Sequence, residues 1–210
     1  MIKNDFPGLF IDIEGLDGGG SSTQCSLVGD FFKSEGIKVF TTKEPTNNVI
    51  GGLIRGVLTN TLCLSSDALQ LLYAADRAHH LNREIIPMLK SKNIVITDRY
   101  AWSSLAFGSI DLDGDWILGL NKNFICPDIS IFVKVSPEIC ITRIKKDRFD
   151  VELFEEEKKL IKVWQTYEFL HQKFPQLIKV VNGERSKELV KKEIIDIVQK
   201  HPKYRLFKGG

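Results

Sequence analysis

The sequence contains little that would suit an exported or membrane protein. Its four cysteines, at positions 25, 63, 126 and 140, have neither the spacing of a zinc site nor the density of a disulfide framework, so we expect a reducing, cytoplasmic setting. No segment approaches the roughly 20 apolar residues of a membrane span, and charged Lys3 and Asp5 follow Met1 too closely for an export signal. The net charge of only +2 gives no reason to expect a nucleic-acid partner.

What is present is the composition of a globular protein. Of the 210 residues, 43% are hydrophobic and 27% are charged, which is enough apolar material for a core without disulfides or structural metals. No internal repeat or low-complexity linker divides the chain. We therefore expect one domain over residues 1–210.

The most informative stretch lies near the N-terminus, where an apolar run from Leu9 ends in a loop of glycines and hydroxyl residues. It nearly matches the phosphate-binding pattern Gly-x-x-x-x-Gly-Lys-Ser/Thr, with Ser22 at the magnesium-binding hydroxyl and Ser21 in place of the lysine. Glycine backbones and a helix N-terminus can bind an anion without that lysine, so a flexible linker is the weaker interpretation. The predicted phosphate-binding residues are Gly15, Gly18, Gly19, Gly20, Ser21, Ser22 and Thr23.

Helical and strand-like patterns alternate along the rest of the chain. Helices are predicted over Ser22–Glu35, Val49–Leu58, Ser65 to about Lys92 with a kink at Pro87, onward from Pro137, and Ser186–Lys200. Strands are predicted from Leu9 and over Ile37–Thr42, Asn93–Asp98, Ile129–Val135 and Leu177–Val181, with a loop over Gly108–Asp128 and a tail over Tyr204–Gly210. Five strands alternating with helices predict an α/β fold of the P-loop NTPase-like, three-layer type, with a five-stranded parallel sheet and helices on both faces.

Asp98 and Arg99 end a buried strand, at the sheet edge where α/β folds place their ligands. The forked guanidinium of Arg99 suits a monophosphate. Asp98, together with Ser22, is a candidate magnesium ligand, directly or through water. A structural ion pair between Asp98 and Arg99 is the alternative.

Four motifs recur in an order and spacing similar to those of the thymidylate kinases, and the chain resembles this family from about Leu9 to Val198. The motifs are Glu14-Gly15-Leu16-Asp17-Gly18; Lys43-Glu44-Pro45, where the family usually has Arg-Glu-Pro; Leu72-Tyr73-Ala74-Ala75-Asp76-Arg77; and Asp98-Arg99-Tyr100-Ala101-Trp102-Ser103-Ser104-Leu105-Ala106-Phe107. The resemblance implies a magnesium-dependent homodimeric kinase that uses ATP to convert dTMP to dTDP. Two alternatives remain: a kinase for another pyrimidine nucleotide and, because of Ser21, a nucleotide-binding relative with weak or no activity.

Tyr73 and Arg77 are four residues apart on a predicted helix, so their side chains share one face and can approach one flat ligand. The resemblance implies that they hold thymine, whereas a core aromatic beside a surface arginine is the structural alternative. Further dTMP-binding residues implied by the resemblance are Asp17, which is also a catalytic candidate near the sugar and the metal, Glu44, Arg99, Ser103 and Phe107. Arg55, on the predicted helix after the Glu-Pro turn, is a candidate for the acceptor phosphate, with a solvated helix face as the alternative. The family often has glutamine where this chain has Gly108, which removes one contact.

A basic segment, Arg143-Ile144-Lys145-Lys146-Asp147-Arg148, follows the fourth predicted strand, where related kinases place a mobile lid, here expected around 143–155. A solvated charged face is the alternative. Because cations aimed at the moving phosphoryl group supply much of the catalysis in phosphoryl transfer, Arg143 or Arg148, alone or together with Lys145, is predicted to replace the missing loop lysine.

Overall fold

A five-stranded parallel sheet forms the centre of the molecule. The computed structural model describes residues 1–147 and 153–207. Its strands are β1 (Leu9–Gly15), β2 (Val39–Lys43), β3 (Ile94–Asp98), β4 (Ile129–Lys134) and β5 (Ile178–Asn182). They lie in the order β2-β3-β1-β4-β5, and every neighbouring pair is parallel. The predicted α/β fold is confirmed.

Helices connect the strands and cover both faces of the sheet. They are α1 (Ser21–Ser34), α2 (Val49–Leu58), α3 (Ser66–His80), α4 (Ile86–Lys90), α5 (Ala101–Gly108), α6 (Gly114–Asn121), α7 (Pro137–Asp147), α8 (Leu153–Lys173) and α9 (Lys187–Lys200). A π-helical turn, Leu81–Ile85, joins α3 to α4, and a 3₁₀ helix, Pro202–Phe207, follows α9. Of the described helices none is both long and apolar enough to cross a membrane.

Two apolar layers sandwich the sheet because alternate residues of β1 face opposite sides. Leu9, Ile11 and Ile13 belong to the larger cluster, which includes Val28 and Phe32 of α1. On the other side, the smaller cluster joins the following buried residues of the sheet, the α3–α4 connection and the start of α5: Phe10, Leu81, Ile85, Leu89, Val95 and Tyr100. Burial of both faces explains why the three central strands, β1, β3 and β4, are largely apolar, whereas the edge strands β2 and β5 are partly exposed.

The strand register places polar side chains at one edge. Ile13 of β1 pairs with Asp98 of β3, and Asp98 in turn pairs with Lys43 of β2. The backbone N–H of Arg99 continues this ladder by donating to the carbonyl of Ile13, at 3.0 Å. The residues that follow β1, β2 and β3 therefore meet at the carboxyl edge of the sheet.

The single long helix predicted over Ser65 to about Lys92 is interrupted at the π-helical turn. Proline lacks an N–H, and its ring clashes with the carbonyl four residues earlier in a regular helix. The chain widens just before Pro87, where the N–H of Ile86 bonds to the carbonyl of Leu81, five residues back. This wider turn accommodates Pro87 within a continuous helical path.

Other segments are more ordered than predicted. The predicted loop over Gly108–Asp128 contains α6, whose first turn is capped by Asp113 through the N–H of Trp116. Neither α5 nor a separate α8 is predicted from the sequence. The prediction of a tail is wrong for residues 204–207, the part that the structure describes. Tyr204 is buried, and the centroid of its ring lies 5.6 Å from that of Phe32.

Burial of Tyr204 predicts that substitutions in this segment, which was predicted to be a tail, change the stability of the protein. Tyr204→Ala should lower the free energy of unfolding by about 3 kcal/mol, since truncating a buried aromatic side chain leaves a cavity. Urea denaturation measures the change. Leu206→Ala is the matched control, because Leu206 is exposed and its removal should cost less than about 0.5 kcal/mol. Equal effects of the two variants would contradict the packing.

Candidate active site

The loop between β1 and α1 has the geometry of an anion-binding nest. Gly18 and Gly20 have φ angles of 75° and 93°, which L-residues with a Cβ rarely adopt. These turns lead directly into α1, whose first turn carries no acidic residue and no side-chain cap. Free N–H groups and the positive end of the helix dipole thus face a cavity of about 640 Å³, lined by residues 16–24 of the loop and helix.

Cations surround this cavity although the loop itself has Ser21 where the pattern expects lysine. Arg143 of α7 reaches the loop, with Nη1 at 3.3 Å from the carbonyl of Gly18 and Nη2 at 3.4 Å from that of Gly183. Arg99, Arg185 and Lys187 also line the cavity. Arg148 lies outside the described residues, as does the central part of the predicted lid. Its role stays a prediction.

Ser22 and Asp98 are in contact beside the loop, and their oxygen atoms suit a divalent cation such as magnesium. The hydroxyl of Ser22 donates to Oδ2 of Asp98. The other oxygen, Oδ1, is buried and has no hydrogen-bond partner within the described residues. Magnesium prefers oxygen ligands and is commonly held by one or two carboxylates, substrate phosphates and water. This pair therefore suits magnesium.

Arg99 connects the end of β3 to the phosphate loop. Its Nη1 donates to the carbonyl of Gly15 at 2.8 Å and to Oγ of Ser103 at 3.1 Å, and its Nη2 pairs with Asp17 at 2.7 Å. Burial alone would lower the pKa of Arg99, but the nearby carboxylates, Asp17 foremost, outweigh burial and raise it. The guanidinium is thus permanently charged. Its backbone φ of 68° is unusual for arginine and costs about 1–2 kcal/mol, which is typical of functional sites.

A second, more apolar cavity of about 260 Å³ adjoins the loop. The predicted acceptor-binding residues that line it are Asp17, Glu44, Tyr73, Arg77, Arg99, Ser103 and Phe107. Burial raises the pKa of Tyr73 to about 12, so its ring is a neutral aromatic surface at physiological pH. Arg55 is an exception among the predicted residues: its Nη1 bonds to the backbone carbonyl of Thr46, and it lines neither cavity.

Arg77 is buried and makes several hydrogen bonds, so the alternative interpretation of a surface arginine beside a core aromatic is wrong. Only 1% of the residue is exposed, and its guanidinium contacts Glu44, at 2.8 Å for the closest pair. It also donates to the carbonyl of Tyr100, to Ser104 and to Asn121. One Nη1–H has no partner within the described residues, so Arg77 can still donate one hydrogen bond to a ligand.

Glu14, near the end of β1, accepts hydrogen bonds from residues at the start of α5 and from α8. Its carboxylate accepts the N–H groups of Tyr100 and Ser103, at 3.0 and 3.2 Å, and so caps the start of α5 from outside the helix. The hydroxyls of Ser103 and Tyr167 donate to its Oε2, the latter at 2.8 Å. Burial and the charge of Glu14 raise the pKa of Tyr167 well above its usual value, so the phenol remains a donor.

The two cavities meet at Asp17 and Arg99, which line both. A ligand in the phosphate loop and a ligand beside Tyr73 would therefore face each other across a paired carboxylate and guanidinium. This arrangement is suited to transfer of a group between two bound molecules, one of which carries phosphate.

Comparison with known proteins agrees with this geometry. A model of the family described as thymidylate kinase matches residues 13–194. The chain belongs to the thymidylate kinase family. Three similar proteins carry that name: a probable thymidylate kinase of Thermococcus gammatolerans, 36% identical over 206 residues, covering 91% of this chain and 96% of the relative; a putative one of Treponema pallidum, 36% identical over 185 residues, covering 86% and 88%; and a probable one of Caldivirga maquilingensis, 40% identical over 149 residues, covering 70% and 72%.

Thymidylate kinases are phosphotransferases, so the predicted family and enzyme class are confirmed. Sequence reasoning missed several residues of this site, among them Gln70, Asn121 and Tyr167. Asn121 lies in the segment predicted to be a loop. Tyr167 lies on an apolar helix stripe with Val163 and Leu170, and the available signal was that a core tyrosine needs a partner for its hydroxyl.

The shared carboxylate of Glu14 predicts that Tyr167 and Ser103 are energetically coupled. Tyr167→Phe and Ser103→Ala should each lower the free energy of unfolding by about 1.5–3 kcal/mol, because each removes a hydrogen bond to a buried charge. The double variant should deviate from additivity by at least about 0.5 kcal/mol. Urea denaturation measures the cycle, with Tyr204→Phe replacing Tyr167→Phe in a control cycle. Strict additivity in the first cycle would refute the shared network.

Proposed function

We propose that this protein transfers the γ-phosphoryl group of ATP to the 5′-phosphate of dTMP, giving ADP and dTDP. The observation that carries the proposal is the junction of the two cavities at Asp17 and Arg99. One cavity offers an anion-binding loop for a triphosphate. The other offers the aromatic side chain of Tyr73 and a hydrogen-bond donor, Arg77, for a flat base with a ring carbonyl.

The reaction is a direct displacement. An oxygen of the dTMP phosphate forms a bond to the γ-phosphorus while the bond from that phosphorus to the β,γ-bridging oxygen breaks, and ADP leaves with the electron pair. No covalent enzyme intermediate is required. Positioning and charge neutralisation supply the rate, and Arg99 is placed to neutralise the phosphoryl oxygens between the two substrates.

Ser22 and Asp98 would hold the magnesium ion that accompanies ATP. The support is the buried, unpartnered oxygen of Asp98 beside the Ser22 hydroxyl. When bound, magnesium would supply neutralisation of phosphate charge. The loop N–H groups orient the donor phosphates, and Asp17 holds Arg99 through their ion pair.

Activity is tested by coupling ADP release to a spectrophotometric readout. ADP should appear only when Mg-ATP and dTMP are both present, and turnover should be higher with dTMP than with CMP. If Ser21 instead marks a protein that binds nucleotides without transferring phosphate, both nucleotides should bind while no ADP is released. A preference for CMP would indicate a kinase for a different pyrimidine nucleotide.

The missing loop lysine is replaced, in this proposal, by cations from α7 and the segment after it. Arg143 is the supported candidate because its guanidinium already contacts the loop carbonyl of Gly18. Arg148 and Lys145 stay in the proposal as partners of a lid around 143–155 that closes over the donor. A closed lid would also exclude water and limit ATP hydrolysis.

If Arg143 replaces the missing lysine, a lysine restored to the loop should compensate for the loss of Arg143. Arg143→Ala should lower kcat about 10- to 100-fold, since a charge-assisted hydrogen bond contributes about 1.5–3 kcal/mol. Ser21→Lys in the same chain should recover part of that loss by restoring a cation within the loop. Arg83→Ala, an exposed arginine outside both cavities, is the matched control for kcat. Normal turnover in both Arg143→Ala and Arg148→Ala would exclude the clamp.

The protein is further proposed to act as a homodimer in the cytoplasm. Supporting the dimer, exposed apolar side chains cluster on α2, α3 and the turn between them: Val49, Leu53, Leu58, Leu62, Leu64 and Leu71. Sedimentation should give twice the chain mass of 23.8 kDa, and a monomer at micromolar concentration would refute it. The cytoplasmic location is supported by four free cysteines.

A further inference from the structure

A glutamine side chain occupies the space beside Gly108 in the second cavity. A Cβ placed on Gly108 would lie 2.7 Å from Cδ1 of Ile117, 2.9 Å from Nε2 of Gln70 and 3.0 Å from Cδ of Gln70, which is tighter than ordinary Cβ contacts. Gln70 extends from α3, one helical turn before Tyr73, and both residues line the cavity. Its carboxamide therefore lies directly against the backbone of α5, in the wall of the cavity.

The carboxamide of Gln70 has no hydrogen-bond partner among the described residues. The residue is only 6% exposed, yet its amide makes no hydrogen bond to any part of the chain that the structure describes. The amide opens onto the cavity, because Gln70 is one of the residues that line it. Polar side chains of largely buried residues are normally paired in native proteins, so an amide that lacks a protein partner and faces a cavity points to a ligand.

The hydrogen-bonding groups that line the cavity restrict which ligand atoms can pair with the Gln70 amide. A carboxamide offers one acceptor and a donor side by side, which is complementary to an N–H next to a carbonyl in a six-membered ring. Arg77 lines the same cavity and offers only donors, so the ring must present a carbonyl to it. The N3–H and adjacent carbonyls of an oxo-pyrimidine supply both patterns.

We propose that Gln70 is a specificity-determining residue, whose carboxamide pairs with the N3–H and an adjacent carbonyl of the acceptor pyrimidine. The assignment rests on the proposed function, because it requires a thymine or uracil base in the second cavity. A larger residue at Gly108 would press on both Ile117 and the Gln70 amide, so the glycine helps to leave that amide its place.

The test compares the binding of two ligands that differ at one atom. Isothermal calorimetry measures Kd for dTMP and for N3-methyl-dTMP, in which the N3–H is replaced. In the wild-type protein the methylated ligand should bind at least 10-fold more weakly. In Gln70→Ala, affinity for dTMP should fall about 10- to 100-fold, and the difference between the two ligands should shrink to less than 3-fold.

Further variants separate recognition from packing. Gln70→Leu keeps much of the side-chain volume and should lose dTMP affinity as Gln70→Ala does. The same factor should apply to dUMP, which has the same edge, while affinity for ATP should remain unchanged. Gln165→Ala, on an exposed position of α8, should leave every Kd at its wild-type value. Gly108→Ala should weaken dTMP binding more in the wild-type chain than in the Gln70→Ala chain, because only the contact with Ile117 remains in the latter.

The outcomes distinguish this inference from the proposed function. If the wild-type protein releases ADP with dTMP while Gln70→Ala discriminates the two ligands as strongly as wild type, the assignment of Gln70 is overturned and the proposed function stands. If the wild-type protein shows no turnover, the proposed function fails, and the ratios of Kd still decide the role of Gln70. Equal binding of both ligands by the wild-type protein also overturns the assignment.

Discussion

The contact of Arg99 with the phosphate loop is the interaction on which the site depends. A guanidinium held between the carbonyl of Gly15 and the carboxylate of Asp17 joins β3 to the loop after β1. Because these strands are parallel neighbours, their ends meet only in the register that pairs Ile13 with Asp98. Both cavities are built around this junction, so a shift of one residue between the strands would separate the two ligands.

Several buried charged side chains near this junction form hydrogen-bond networks that fix the positions of the surrounding helices. Glu14 is compensated by four donors, and Glu44 is compensated by Arg77 and His80. A buried carboxylate is tolerable only when its oxygens are satisfied, and the removal of one partner leaves an expensive charge behind. These networks therefore hold α3 and α5 in a single arrangement around the second cavity, which reduces the ordering needed when a nucleotide binds.

The replacement of the loop lysine by Ser21 changes the source of positive charge and leaves the nest intact. The left-handed glycines and the open N-terminus of α1 depend on backbone conformation, which the serine does not disturb. Cations then come from other elements: Arg99 from the end of β3 and Arg143 from α7. Charge distributed over several elements can assemble fully only when the fold is complete, whereas a loop lysine belongs to the local motif.

The sequence alone determined the parallel α/β fold, the glycine-rich turn after β1 and the family, because these depend on local periodicity, on glycine conformation and on motifs of neighbouring residues. The α5–α6 region and the C-terminal 3₁₀ helix were missed because their local patterns are weak and their order comes from burial, as for Tyr204. Only the tertiary structure decided that Tyr167 bonds to Glu14 and that Gln70 occupies the space beside Gly108. Such contacts join residues distant in sequence, and the side chains meet only after the sheet and its covering helices have set the distances between them.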